Sequence, residues 1–446
     1  MHDLLVVGGG LAGLSAAWSA RQADVLLLEK SDRVGGRIRS ERRGDYWLNW
    51  GAHVFSGPGS ATDELLRATG VRAAPVPGNL TALAMNGRLL TTGRVEMYPF
   101  RVPMPLASRV AALHAGVKVR IGVRRYARVV TPRPGEDYIA RQQRIYDFES
   151  ARSFRDFLGR LPPDADALFR PTVTRSAGEP EEISAGAGLG YFHLVWNRGE
   201  GLSRNIVGGP SELTEAIAAG LGSRVVRRAT VREVILHENH VEVTYQGDAR
   251  ERTLLARQVV MATAAPVTRE VVQNLPDDLG AALARIVYGP YVSAAFLTNE
   301  AGPAPWDDCY AIASPKRSFN VVFNMSSVIR AGERQRTPGS SIMVFSPARL
   351  ARALIDRDDA EVIGTYLRDL EEIFPAFGSL VIEARVQRWP LGLAYCFPGR
   401  GQLQSVLLRP RKRLALSGDY LGTLYTETAV QTGRRAGRQA LGALAA

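Results

Sequence analysis

Lysine is almost missing from this 446-residue chain. Lys30, Lys118, Lys316 and Lys412 are the full set, so 52 of its 56 basic residues are arginine. The net charge of +12 is therefore partly a general arginine preference rather than a binding device. It still leaves room for an anionic substrate or an anionic membrane surface. There are two cysteines, Cys309 and Cys396, far apart in the sequence, which excludes a disulfide framework and a cysteine-ligated zinc site and fits a reducing compartment. The six histidines include HENH at His237 to His240. That is not the HExxH zinc spacing, and its place between the alternating runs ATVREVIL and VEVTY reads as a hairpin turn. No run reaches the ~20 uninterrupted apolar residues of a bilayer span. The apolar N-terminus, LLVVGGGLAGLSAAW, does not read as a secretion signal: no lysine or arginine precedes it, and Gly8, Gly9, Gly10 and Gly13 break it. These absences predict a cytoplasmic protein with at most peripheral membrane contact. Nucleic-acid binding has no motif behind it. At 46% hydrophobic and 22% charged residues the chain is globular, and its length allows two or three domains or one large domain with a second woven through it.

What is present begins with those glycines. DLLVV is short, β-branched and leucine-rich, as for a strand buried on both faces of a parallel sheet. Gly8, Gly10 and Gly13 form GxGxxG, the helix former LSAAWSARQ follows, and a second apolar run, DVLLLE, ends at Glu29. Strand, glycine loop, helix, strand and terminal acid give the context a dinucleotide loop requires. Gly8 permits the tight turn, Gly10 lets the backbone approach a pyrophosphate, and Gly13 lets helix and strand pack closely. The helix start at Leu11 and Ala12 offers free N–H groups and a positive dipole end. Glu29 can accept from both ribose hydroxyls of an adenosine and repels a 2′-phosphate, and Lys30 follows it. In KSDRVGGRIRS, Gly35 and Gly36 stand beside Arg37 and Arg39, ready for more phosphate contact. WLNWGAHVF adds another close-approach glycine, Gly51, with Ala52 and His53.

On these residues (GxGxxG, Glu29, GGR, GA) the chain resembles the flavoprotein family of amine oxidases, protoporphyrinogen oxidases and phytoene or carotenoid desaturases. The resemblance implies an α/β fold: a doubly wound, Rossmann-like FAD-binding domain interleaved with an α+β substrate-binding domain of mixed sheet and helical cluster. It predicts FAD-binding segments at 1–75, 205–265 and 385–446, and substrate-binding segments at 76–204 and 266–384. In the first return, Gly208 and Gly209 open a helix, and a strand at Thr230 to Val234 implicates the Val231 backbone in adenine contact. In the second, a buried strand ends at Gly418 and Asp419, where Asp419 resembles the aspartate that holds the ribityl chain. A helix starting near Thr426 would point its positive end at the flavin's pyrimidine oxygens. TPRPGED and RLPPDAD read as loops.

The resemblance also implies chemistry. Family amine oxidases use an aromatic cage over the flavin and a lysine that holds a water at N5. Tyr425 and Tyr395 match the cage positions, and Trp389 matches the tryptophan that packs near the flavin. The chain departs from the pattern elsewhere: Ser293 stands at the lysine position, Asn49 at the acid before GA, Thr428 at the helix-start glycine, and Ala394 where proline is common. The leading expectation is hydride abstraction from a C–N bond of a small organic substrate, with O2 reoxidising the flavin to give H2O2. The alternative is C–C dehydrogenation of a porphyrinogen-like or isoprenoid substrate. A third reading comes from Rab GDP-dissociation inhibitors, which share the fold and bind prenylated protein without flavin; the intact GxGxxG, Glu29, GGR and Asp419 argue against it. Residues 94–130 carry eight basic residues and one acid, Glu96, interleaved with leucine, valine and proline. They read either as a face lying on an anionic membrane or as a solvated helix face.

Overall fold

A computed structural model describes residues 1–78, 80–196, 202–248, 250–330, 336–422 and 426–445. Its first sheet grows from the apolar runs. His2–Val7 pairs in parallel with Val25–Leu28 on one side and with the end of Glu251–Met261 on the other, and Val225–Val226 and Leu414–Leu416 extend the parallel set. Thr230–Leu236 and Val241–Gln246 add an antiparallel meander, making seven strands. The turn between these two is the HENH segment, closed by a His237 N–H bond to the His240 carbonyl at 2.9 Å. Leu4 and Val6 face one core with the helices Leu11–Ser19, Ser211–Leu221 and Thr426–Ala445, while Leu5 and Val7 face another. Alternate residues of one strand thus meet two different layers, as a doubly wound sheet requires. The C-terminal helix lies hard against Leu11–Ser19. Gly433 and Gly437, four apart and so on one helix face, permit this: a Cβ on Gly433 would overlap the Ala12 carbonyl oxygen, and one on Gly437 the Ser19 hydroxyl.

The second sheet also has seven strands, in the order Val381–Ala394, Tyr288–Thr298, Ser340–Pro347, Val321–Asn324, Ala311–Ala313, Ala82–Met85, Arg88–Leu90. One face packs on Asp359–Glu371 and Phe377–Leu380 through Tyr366, Leu370, Phe374 and Phe377. The helical cluster, Leu106–Val130, Phe154–Leu158, Pro163–Thr174 and Ala185–Trp196, has its own core around Val119, Phe154, Phe169 and Leu189.

Three expectations move. Residues 266–284 do not join the second sheet: Val271, Leu279 and Leu283 are buried in the first sheet's core. The strand Val381–Ala394 crosses the expected boundary at 385, because it pairs along Tyr288–Thr298 for its whole length. RLPPDAD is a loop only as far as Pro162, since Pro163 sits in the first turn of a helix, where a missing N–H costs nothing.

Candidate functional site

The glycine loop leaves a helix end open. Leu14 N–H bonds back to the Gly10 carbonyl, so the amides of Leu11, Ala12 and Gly13 precede the first intrahelical bond. Gly10 supplies no side-chain cap, the first turn holds no acid, and nothing lies within 4 Å of a Cβ placed on Gly10. Three donors without an acceptor among the described residues, at a positive helix end facing open space, fit a pyrophosphate. Gly8 has φ +106°, and a side chain at Gly13 would overlap its carbonyl oxygen, so both positions require glycine.

Glu29 is buried, and its two oxygens accept from Gly9 N–H at 2.6 Å and Ser31 N–H at 2.8 Å. The carboxylate is therefore a brace of the loop as well as the candidate ribose ligand, with a lone pair on each oxygen to spare. Lys30 beside it is exposed. Val231 opens the meander at a bulge, and the neighbouring Ala229 N–H bonds to the Glu29 carbonyl at 2.9 Å.

The GGR and GA segments are stitched together. Gly35 N–H bonds to the Gly9 carbonyl at 2.8 Å, and Ala52 N–H to the Arg37 carbonyl at 3.1 Å. Gly36 and Ala52 remain exposed, and a Cβ on Gly51 would overlap the Arg37 oxygen. Arg37 reaches across the chain: its guanidinium grips Asp419 with both nitrogens, at 3.0 and 2.8 Å, and donates to the Gly392 carbonyl at 3.1 Å. Burial works against its charge, but the Asp419 carboxylate outweighs that and raises its pKa. Gly418 (φ +155°) precedes Asp419. The last helix begins at Thr426, whose hydroxyl donates to the Val54 carbonyl at 3.0 Å. The next residue, Glu427, was not singled out in the sequence. Its carboxylate accepts from Ala61 N–H at 2.8 Å and Thr62 N–H at 3.1 Å, capping the helix Ala61–Thr69.

The far wall is the second sheet. Tyr291, Ser293 and Ala295 alternate onto one face of Tyr288–Thr298, with Phe345 opposite Ser293. Tyr291, Phe345 and Phe323 make a run of ring contacts at 5.4 and 5.8 Å, and the His53 ring meets Phe323 edge-on at 4.6 Å. Ser293 is buried beside this run. Asn49 is fully buried, donating to Met343 Sδ at 3.0 Å while its Oδ1 has no partner among the described residues. His53 lies with Nδ1 2.9 Å from the Gly51 carbonyl, so the proton sits there and the buried Nε2 presents an unused lone pair. Burial, with a smaller push from Arg175, holds the His53 pKa down at about 4, keeping the ring neutral near pH 7.

Of the expected cage, Tyr395 is buried at the edge of the helical cluster, and its N–H bonds to the Val287 carbonyl at 3.1 Å. Tyr425 lies outside the described residues. Trp389 packs with Leu48, Trp50 and Ala295 and donates to the Trp50 carbonyl at 3.1 Å. Sequence reasoning missed the wall of Tyr291, Phe323 and Phe345, and also Arg175. Alternation within the strands was the available signal for the wall.

A nucleotide-binding sheet whose glycine loop, acid and far-end aspartate converge beside an aromatic-walled second domain defines an FAD-dependent oxidoreductase. The chain matches the sequence profile of the flavin-containing amine oxidoreductases over residues 11–441, and it belongs to that family. It is 25% identical to amine oxidase [flavin-containing] A of Bos taurus over 100% of this chain and 86% of that protein. It is 24% identical to "Probable flavin-containing monoamine oxidase A" of Dictyostelium discoideum, over 57% of this chain and 56% of that one, so this match spans little more than half of that relative. A structure of putrescine oxidase bound to putrescine superposes with a TM-score of 0.77 over 99% of both chains at 17% identity, a likeness of fold.

Proposed function

We propose that the protein oxidises amines: a hydride leaves the carbon beside a neutral amine nitrogen of a small organic substrate, and O2 is the final acceptor, released as H2O2. The observation that carries this reading is the family match over residues 11–441. FAD, when bound, takes up the hydride and passes the electrons on. The chain's part is to hold and to exclude. The amides of Leu11, Ala12 and Gly13 would take the pyrophosphate, Glu29 the ribose, and Asp419 with Arg37 the ribityl chain. Tyr291, Phe323 and Phe345 supply a dry wall that favours an uncharged amine. Ser293 offers one hydroxyl where the resemblance puts lysine; it can hold a water but cannot carry a charge. The test is peroxide release from the purified yellow protein with a panel of primary and secondary amines, and turnover of at least one amine class is expected. A flavin-loaded protein silent with every amine would reject the reading and leave C–C dehydrogenation in its place.

A specific observation also supports peripheral membrane contact through 94–130. In the helix Leu106–Val130, Leu106, Val110, Leu113, Val117 and Ile121 are all exposed and recur at helical spacing, continued by exposed Met97 and Phe100. Arg120, Arg124, Arg125 and Arg128 are exposed along the same helix. Among the described residues no helix is long and apolar enough to cross a membrane, so contact would be at the surface. Flotation with vesicles containing phosphatidylserine should carry the protein upward at low salt and lose it at high salt. Replacing Val117 and Ile121 together by aspartate should abolish flotation; no flotation by the native protein would dismiss the contact.

A further inference from the structure

Beside the aromatic wall stands a positive charge with no counter-charge among the described residues. Arg175 caps the C-terminal end of Pro163–Thr174. Its Nε is buried without a partner, and among the described residues no carboxylate, carbonyl or hydroxyl accepts from its guanidinium. Other enclosed arginines have an acceptor for their charge: Arg400 donates to the Tyr420 carbonyl at 2.7 Å, and Arg330 pairs with Asp307, although its Nε too lacks a partner among the described residues. Burial pulls the Arg175 pKa down to about 10, and what favours its charge is the phenols of Tyr291 and Tyr191 rather than any acid. It stays charged at neutral pH. Arg175 is half-buried, its Nε wholly so, and a cation drawn part-way out of water with no acceptor works against folding, so its place suits a ligand.

Its surroundings say which ligand. The Arg175 carbonyl accepts the hydroxyl of Tyr291, and its guanidinium carbon lies 5.9 Å from the centre of the Phe323 ring. Another neighbour of that ring is His53, whose buried Nε2 has no partner among the described residues. Three residues on, Gly178 packs so closely on Tyr395 that a Cβ there would come within 3.1 Å of Tyr395 Cγ. Arg175 therefore lies against the aromatic wall, and its own segment packs on one candidate cage residue. It is distinct from the pyrophosphate cradle at Leu11 to Gly13.

We propose that Arg175 anchors a carboxylate of the substrate, so that the molecule oxidised is an amine that also carries a carboxylate. The planar guanidinium matches a carboxylate's two oxygens, and His53 Nε2 can accept from a substrate N–H. A polyamine cation would instead meet a like charge. The inference rests on the amine-oxidase reading for the identity of the reacting group, and the test separates the two.

Flavin-loaded enzyme is titrated with benzoate and hexanoate, and with their amides, reading the flavin difference spectrum and the thermal shift. Amino carboxylates are compared with the corresponding decarboxylated amines in turnover. The carboxylates should bind and the amides should not. Arg175→Met should weaken carboxylate binding about 10- to 100-fold, as expected for losing a charge-assisted pair, and raise KM for amino carboxylates with little change in kcat; Arg175→Lys should recover part of it. Because the charge is unpaired, Arg175→Met should melt no lower than the native protein, whereas a structural arginine would lower it. Equal carboxylate binding by native protein and Arg175→Met, or preference for amines without a carboxylate, would overturn the anchor and leave amine oxidation standing. Arg175-dependent carboxylate binding with no amine turned over would uphold the anchor and reject the amine.

Discussion

Gly13→Val should yield protein without flavin, destabilised by more than about 4 kcal/mol, at the severe end of single substitutions. Its Cβ would overlap the Gly8 carbonyl oxygen and crowd Ala262 Cβ at 3.1 Å. Neither neighbour can retreat. Gly8 is held at φ +106° with its N–H on the Leu28 carbonyl at 2.8 Å, and Ala262 N–H is tied to the Val7 carbonyl at 2.8 Å. Moving the helix instead would carry off the three amides proposed to take the pyrophosphate. The measurement is the ratio of flavin to protein absorbance, with the melting temperature. Gly442→Ala, in the last helix with nothing within 4 Å of the new Cβ, is the matched control. It should keep full flavin content and gain up to about 1 kcal/mol in helix propensity. A yellow, native-like Gly13→Val would mean that the loop is not the cofactor cradle.

Asp419→Ala should also empty the protein of flavin, for an electrostatic reason. It strips Arg37 of its bidentate partner and leaves that guanidinium with the Gly392 carbonyl. Breaking a fully buried pair costs ~3–5 kcal/mol. Here the Arg37 side chain keeps 37% of its surface exposed against 8% for Asp419, so screening brings the expected loss to about 1–2 kcal/mol. Flavin affinity should fall further than stability, because the carboxylate is the ligand proposed for the ribityl chain. Asp419→Asn, which keeps an acceptor but not the charge, should fall between. Unchanged flavin content in Asp419→Ala would remove this residue from the site.

The glycine loop was legible because its meaning is local: strand, turn and helix lie within twenty consecutive residues, and the steric need for glycine follows from spacing alone. Asp419 became a candidate only through resemblance, since an aspartate after a glycine is otherwise a turn residue. Its partner could not be read, because the pair with Arg37 joins positions 382 residues apart. Arg175 is the sharper case. Among 52 arginines nothing marks it in the sequence, and what singles it out is the lack of a partner, which exists only once the neighbours are in place. The strand Val381–Ala394 was divided in the wrong place for a related reason. Its apolar and polar residues alternate without regard to which domain they serve, and the long pairing with Tyr288–Thr298 decides its membership.

The seam between Leu11–Ser19 and the glycines of Thr426–Ala445 has a consequence for synthesis. The glycine loop leaves the ribosome long before the helix that covers it, since Ala12 and Ala16 are covered by Gly433 and Gly437. The far edge of Val259–Met261 likewise waits for Leu414–Leu416. The second sheet is translated almost entirely in that interval. The nascent cofactor domain therefore carries an exposed helix face and an open strand edge while the second sheet is made, a state prone to misassembly, and it closes once the helix Thr426–Ala445 arrives.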